Sequence, residues 1–138
     1  MARQDQTFKY LYILILKMAD TGIFCTTAEV LRKAGANASA TSKAEAYTND
    51  FVTQAESLIN NVCRFNFSDT YSGLNADTRG LLKEAASNLA AIYVISYDMS
   101  GYTSRIEAED MINILRDSAL RALSLLRDKK HSDFITDS

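Results

Sequence analysis

Proline is absent from the 138 residues, so no residue type here interrupts a long helix by removing its backbone donor. Histidine occurs once, at position 131, and cysteine twice, at 25 and 63, with no CxxC pair. That donor set is too small for a zinc site, and it leaves a serine or cysteine nucleophile only His131 as an imidazole base. Phe24 precedes Cys25 and Val62 precedes Cys63, so both thiols read as buried and free in a reducing cytoplasm. Neither Gly73 nor Gly80 belongs to a GxGxxG or GK[ST] pattern, so no phosphate-binding loop and no cofactor are indicated.

Charge of one sign is also scarce. Fifteen Lys and Arg against seventeen Asp and Glu give a net charge of −2, without the global positive field on which non-specific nucleic-acid binders rely. Long apolar runs are missing too. The best candidate, FKYLYILIL from Phe8 to Leu16, is broken by Lys9 and has about half the length of a bilayer span. With no small-residue cleavage site at the usual distance it reads as neither signal peptide nor anchor, and the expectation is an intracellular protein without a membrane partner. Its aromatic and β-branched residues favour a strand, with Phe8, Tyr10, Tyr12, Leu14 and Leu16 on one face.

What is present is the composition of one ordinary globular domain, 47% hydrophobic and 23% charged. Its charge is placed unevenly: residues 1–43 carry +3 and residues 44–138 carry −5. Contact between the first part of one copy and the second part of another would be favoured by that asymmetry, in the head-to-tail manner that closes rings. Asn37-Ala-Ser39 and Asn66-Phe-Ser68 match the glycosylation acceptor pattern, which matters only in a secreted chain.

Beyond Lys17 the pattern is helical throughout and predicts an all-α, small antiparallel bundle: two long helices in a hairpin, one medium and one short helix, and extended arms at both ends. The domain organisation is a 1–17 arm or extension, an 18–130 helical domain and a 131–138 tail. A short helix over 27–34 is opened by the Thr26-x-x-Glu29 capping box and stopped by Gly35. ANASATS, 36–42, reads as a flexible connector that links rather than packs. The second helix, about 43–64, carries the stripe Phe51, Ala55, Leu58, Ile59 and Val62, with Asn49, Gln54, Glu56 and Asn60 on its polar face.

Three aromatics, Phe65, Phe67 and Tyr71, then fall among the turn residues FNFSDTYSG. They either plug the end of the bundle or form a loop facing a partner. The third helix starts at Asn75 or Asp77 and runs to about Met99, with Leu81, Leu82, Ala85, Leu89, Ile92, Tyr93 and Ser96 inward. Gly101 terminates it, and Ser104-x-x-Glu107 is a second capping box that restarts the chain. The fourth helix, about 105–129, turns Ala108, Met111, Ile112, Leu115, Ala119, Ala122, Leu123 and Leu126 inward.

No catalytic constellation emerges, so the chain reads as a non-enzyme. Glu107, Glu109 and Asp110 crowd the first turn of a helix, where exposed amides favour negative charge; the rival reading gives them to a metal. Arg127, Lys129, Lys130 and His131 form a small basic cluster that complements the C-terminal end of the fourth helix.

The run LLKEAASNLAAIYVISYDMSGYTSRIEAEDMINILRDSALRALSLLRD from Leu81 through Asp128, together with TGIFCTTAEVLRKAGANAS and FVTQAESLINNVCRFNFSD, resembles the head-to-tail adaptor (head completion) proteins of tailed bacteriophages. The likeness covers about Ala19 to Lys130 and rests on the order of the helices, the small-residue linker and the YDMSGYTSR hairpin. It implies a structural virion protein at the head–tail junction, present in host cytoplasm during assembly. Such a protein forms a ring, typically of twelve copies, that docks on the portal protein and meets downstream tail or stopper proteins. Genome DNA passes through its channel without sequence-specific binding. By the same resemblance Arg127, Lys129, Lys130, His131, Phe134 and Ile135 are candidate portal-binding residues, and Phe65, Phe67 and Tyr71 a loop facing the tail or the neighbouring subunit. Residues 1–17 depart from the family pattern, which begins near Met18; they read as an arm that pairs with a neighbour by strand addition, or as the product of an upstream translation start. The competing class is a small helical DNA- or protein-binding regulatory module.

Overall fold

The computed structural model describes residues 20–128, and among them every regular element is helical. The first, α1 (Thr27–Ala34), starts where its capping box predicts: Thr26 Oγ1 accepts from the Glu29 amide at 3.3 Å, and Glu29 Oε1 accepts from the Thr26 amide at 3.1 Å. Gly35 ends it at φ 85°, a left-handed backbone that suits glycine. The strand expected around Phe8–Leu16 and the tail beyond Asp128 lie outside the described residues.

The linker after α1 is not the loose connector its composition suggested. Ala38 and Ser42 are buried, and the Ser39 hydroxyl accepts from the Ser42 amide at 3.1 Å while the Lys43 amide donates to the Ser39 carbonyl at 3.0 Å. Small polar residues serve two purposes here, closing a tight turn on themselves and letting it lie flat on the bundle.

α2 (Glu45–Cys63) follows, with a core face rotated from the expected one. Thr48, Val52, Ala55 and Ile59 are buried, whereas Leu58 is 39% exposed. Asn49 and Glu56, read as polar-face residues, are also buried. The cause is tertiary: the irregular stretch 20–26 lies across that flank of the helix and hydrogen-bonds to both side chains. Arg64 then closes α2 in the left-handed region, at φ 52° and ψ 42°.

FNFSDTYSG is largely helical rather than an open loop. It holds the single turn α3 (Phe67–Thr70) and a 3-10 turn, Tyr71–Gly73. Asn60, on the supposed polar face of α2, pins this turn by accepting from the Phe67 amide at 3.1 Å and donating to the Ser68 hydroxyl at 2.9 Å.

The long hairpin is α4 (Ala76–Tyr97) and α5 (Arg105–Arg127), each roughly 33–35 Å long at 1.5 Å per residue. Asn75 caps α4, accepting from the Thr78 amide at 2.7 Å. α4 packs against α5, α2 and α1, so all residues from Ala85 to Ala91 are buried, including Ser87 and Asn88. Its inward face is therefore a full girdle at mid-length; Ser96, expected inside, is exposed near the end. α5 buries Ala108, Ala119, Ala122, Leu123 and Leu126 and packs Met111, Ile112 and Leu115 against the core, the face its spacing predicted.

Gly101 does not terminate α4. The helix ends at Tyr97, and Asp98 adopts extended backbone (φ −153°, ψ 107°) with its carboxylate accepting from the Ser100 amide at 2.9 Å. Gly101 is needed for close approach, because a Cβ there would strike the carbonyl oxygen of Asn37. Next to it Tyr102 is buried, and its hydroxyl donates to the Ala34 carbonyl at 2.9 Å. The hairpin tip thus clamps the end of α1 and the linker after it. Ser104 caps α5 through the Glu107 amide at 3.1 Å, while the Glu107 carboxylate reaches the Thr103 amide at 3.1 Å, one residue before the expected capping-box partner.

Urea unfolding tests this clamp. Gly101→Ala is expected to cost roughly 1–3 kcal/mol by forcing the tip off the linker, and Tyr102→Phe about 1 kcal/mol by stranding the Ala34 carbonyl. Unchanged midpoints for both variants would refute the clamp.

Candidate interaction surfaces

The most polar place in the interior is built by the segment that precedes α1. Residues 20–26 are irregular, with a bend at Ile23 and Phe24, and pair with no strand among the described residues, so their amides need side-chain acceptors. Glu56 Oε2 accepts from the amides of both Ile23 and Phe24 at 2.6 Å, and Asn49 Oδ1 from that of Thr21 at 3.3 Å. Asp20 in turn accepts from the Thr27 amide at 3.0 Å and its hydroxyl at 2.8 Å. Gly22 lets the strap press on α2, since a Cβ at that position would collide with Val52.

Burial pushes the Glu56 carboxyl above its ordinary value, and the two amide bonds offset part of that rise. Cys25 lies in the same region, and its thiol is driven up to about 12, first by burial and then by the carboxylates of Glu56, Glu29 and Asp20. It is a neutral, inert thiol at physiological pH. Burial raises Cys63 as well, against a lowering contribution from Arg127. Both cysteines are free, Cys25 buried and Cys63 half-buried.

The charged cleft between α1 and α4, about 150 Å³, is lined by Glu29, Arg32, Lys33, Lys83, Glu84 and Ser87. Lys33 meets Glu84 at 2.9 Å and Lys83 meets Glu29 at 3.5 Å, so the two signs compensate within the cleft. The acidic residues at the start of α5 are spread over separate tasks, Glu107 at the cap and Glu109 paired with Arg105 at 2.9 Å. Among the described residues no group of three or more His, Cys, Asp or Glu side chains is arranged to hold a metal ion. No helix among them is long and apolar enough to cross a membrane.

The three aromatics after α2 separate. Phe67 is fully buried, its ring 4.7 Å from that of Phe65. Tyr71 is half-buried and stacks on Phe24 at 5.8 Å. These two plug the bundle end, which withdraws Phe67 from any partner-facing surface; Phe65 alone presents a substantial exposed ring, at 38%. Arg127 is the exposed last residue of α5, whereas Lys129, Lys130, His131, Phe134 and Ile135 lie outside the described residues.

Periodicity read for the core missed two surfaces. The first is on α5, where Ile106, Ile114, Leu120 and Leu125 are 71%, 67%, 56% and 51% exposed, Ile106 opposite the buried stripe, Leu120 on one flank and Ile114 and Leu125 on the other. Asp110, Asp117 and Arg121 occupy the outermost arc. The sequence did carry this signal, in four large aliphatics that fit no inward position. The second surface is aromatic: Tyr47 and Tyr97, both exposed, lie 5.2 Å apart, and Phe51 sits 6.2 Å from Tyr97.

No family model, curated protein or solved structure matches the chain. What the fold defines is an all-helical domain whose most prominent uncommitted features are exposed apolar and aromatic faces.

The Glu56 strap has a checkable pH signature. Its folded pKa lies above the ordinary 4.5, so the folded state holds this proton more tightly than the unfolded one. Stability contributed by the group is therefore complete below about 4.5 and declines as pH rises through the folded pKa. Relative to Glu56→Gln, the wild type should lose stability across that rise; a constant difference would exclude the linkage. Glu56→Ala, which strands the amides of Ile23 and Phe24, is expected to cost roughly 2–4 kcal/mol in urea unfolding.

Proposed function

We propose that the protein is a head–tail adaptor of a tailed bacteriophage: a structural ring component that docks on the portal, receives tail or stopper proteins, and leaves a channel for the genome. The observation that carries this reading is the exposure of four large aliphatics on α5 outside its core stripe: Ile106 outward, and Leu120 and the pair Ile114 and Leu125 along its two flanks. Scattered apolar residues are normal on a surface, but four large aliphatics left more than half exposed on one helix call for neighbours. Supporting it are the resemblance carried by 81–128 and the net negative charge, which keeps a channel component from adhering to passing DNA.

In this reading about twelve copies form the ring, the segment from Arg127 to Ile135 reaches the portal, and the exposed Phe65 ring faces the tail or an adjacent subunit. Phe134 and Ile135 act as apolar anchors, with Lys129 and Lys130 as orienting charges. No turnover and no cofactor are required.

Mixing the protein with purified portal and imaging the product tests the class. A symmetric collar is expected, and bare portal rings at saturating protein would overturn the reading. Truncation after Asp128 should abolish collar formation while leaving the helical circular dichroism spectrum intact; a truncated chain that still decorates the portal would refute the tail assignment.

A further inference from the structure

We propose that Tyr47 and Tyr97 form an oxidative modification site, at which hydrogen peroxide and a peroxidase couple the two rings into a dityrosine joining the start of α2 to the end of α4. The ring centroids lie 5.2 Å apart with the planes tilted by 50°, a separation at which the ring edges touch. Both side chains are open to solvent, Tyr47 at 39% and Tyr97 at 51% exposed, so an oxidant reaches either. A hydrogen bond with Tyr47 is the largest of the causes that hold the Tyr97 phenol above its ordinary range, and it ties the two hydroxyl ends together as well. Phe51 steadies the pair. Its ring is 6.2 Å from Tyr97 and 6.1 Å from Tyr93, so two pairs at i,i+4 spacing, Tyr47 with Phe51 on α2 and Tyr93 with Tyr97 on α4, interlock across the helix boundary.

Among the described residues this is the one contact between two tyrosine rings. Tyr71 stacks on Phe24, Tyr93 meets Phe51, and Tyr102 is buried with its hydroxyl on the Ala34 carbonyl. Tryptophan, which would compete for oxidation, is absent from the chain. The thiols compete weakly, because burial raises both above the ordinary range and keeps them protonated. Each phenol gives one electron to the peroxidase and one proton to water, leaving a phenoxyl radical with spin on the ring carbons beside the oxygen. A bond forms between one such carbon of each ring. The hydrogen each carbon carried then moves to its own phenolic oxygen, which restores both aromatic rings. Two electrons and two protons have left the protein, and they reduce one hydrogen peroxide to two waters. The fold makes the link intramolecular, since each ring has its partner in place at any dilution while a ring on another copy must diffuse to it. The bond is a staple: it closes the chain from α2 to the end of α4 into a loop and removes freedom from the unfolded state. None of this rests on the adaptor reading.

The test treats dilute full-length protein with a haem peroxidase and hydrogen peroxide, then isolates the monomer. A species lighter by two hydrogen atoms with the blue fluorescence of dityrosine is expected, and its digest should contain one joined pair of peptides, carrying Tyr47 and Tyr97. Tyr47→Phe and Tyr97→Phe, both at exposed positions and checked for an unchanged circular dichroism spectrum, should each lower the monomeric product roughly tenfold, whereas Tyr93→Phe should leave it in place. Oxidation in urea should give the same loss as the two variants, because unfolding separates the rings. The isolated cross-linked monomer should unfold at a higher urea midpoint than the untreated chain. Dityrosine found only in covalent dimers, a monomeric link that maps to Tyr10 or Tyr12, a yield undiminished in urea, or no dityrosine at all would each overturn the proposal. An unchanged midpoint would overturn the staple.

Discussion

The bundle depends on a constraint at the middle of α4: one helix must be approached from three sides at once. From Ala85 to Ala91 no side chain larger than leucine occurs, and four of the seven residues are alanine. Small side chains let α1, α2 and α5 come close enough to enclose the helix, and the enclosure converts a weakly amphipathic sequence into a buried axle. The polar residues caught in the girdle are served locally, Asn88 donating to Glu84 at 2.9 Å and Ser87 bonding within its own helix. Each remaining helix then needs only one apolar face, and this leaves the outer side of α5 available for something else.

A second constraint comes from chain that is neither helix nor sheet. Residues 20–26 lie against α2 as irregular chain, so amide donors that no helix or strand satisfies turn to Glu56 and Asn49. The carboxylate is buried to reach them, and its raised pKa records the cost of that burial. The same crowding of carboxylates around Cys25 removes the one fully buried thiol from reactive chemistry. Glu56, Asn49 and Cys25 are thereby accounted for by architecture.

Much of the fold was legible before any coordinates. Thr26 and Glu29 announced the start of α1, Asn75 or Asp77 that of α4 and Ser104 that of α5, because caps are local hydrogen-bond chemistry written within four residues. The inward stripe of α5 was equally plain, since an α-helix packed on one side obeys its own period. Reading failed where a residue answers to a distant part of the chain. Glu56 looked like a solvated side chain until residues 23 and 24 were seen to need an acceptor, and Gly101 looked like a helix stop until the carbonyl of Asn37 was found against it. The aromatic run after α2 was ambiguous for a related reason, as its three rings divide between core and surface according to a single turn held by Asn60.

Sequence by itself determined the all-helical class, the starts of α1, α4 and α5 and the hairpin, all consequences of short-range hydrogen bonding and of periodicity within one element. Only the tertiary structure decided which flank of α2 is buried, which aromatics are withdrawn from the surface, and that the aliphatics of outer α5 stay uncovered. Those outcomes depend on which elements lie beside one another, and burial is a property of neighbours rather than of the residue buried.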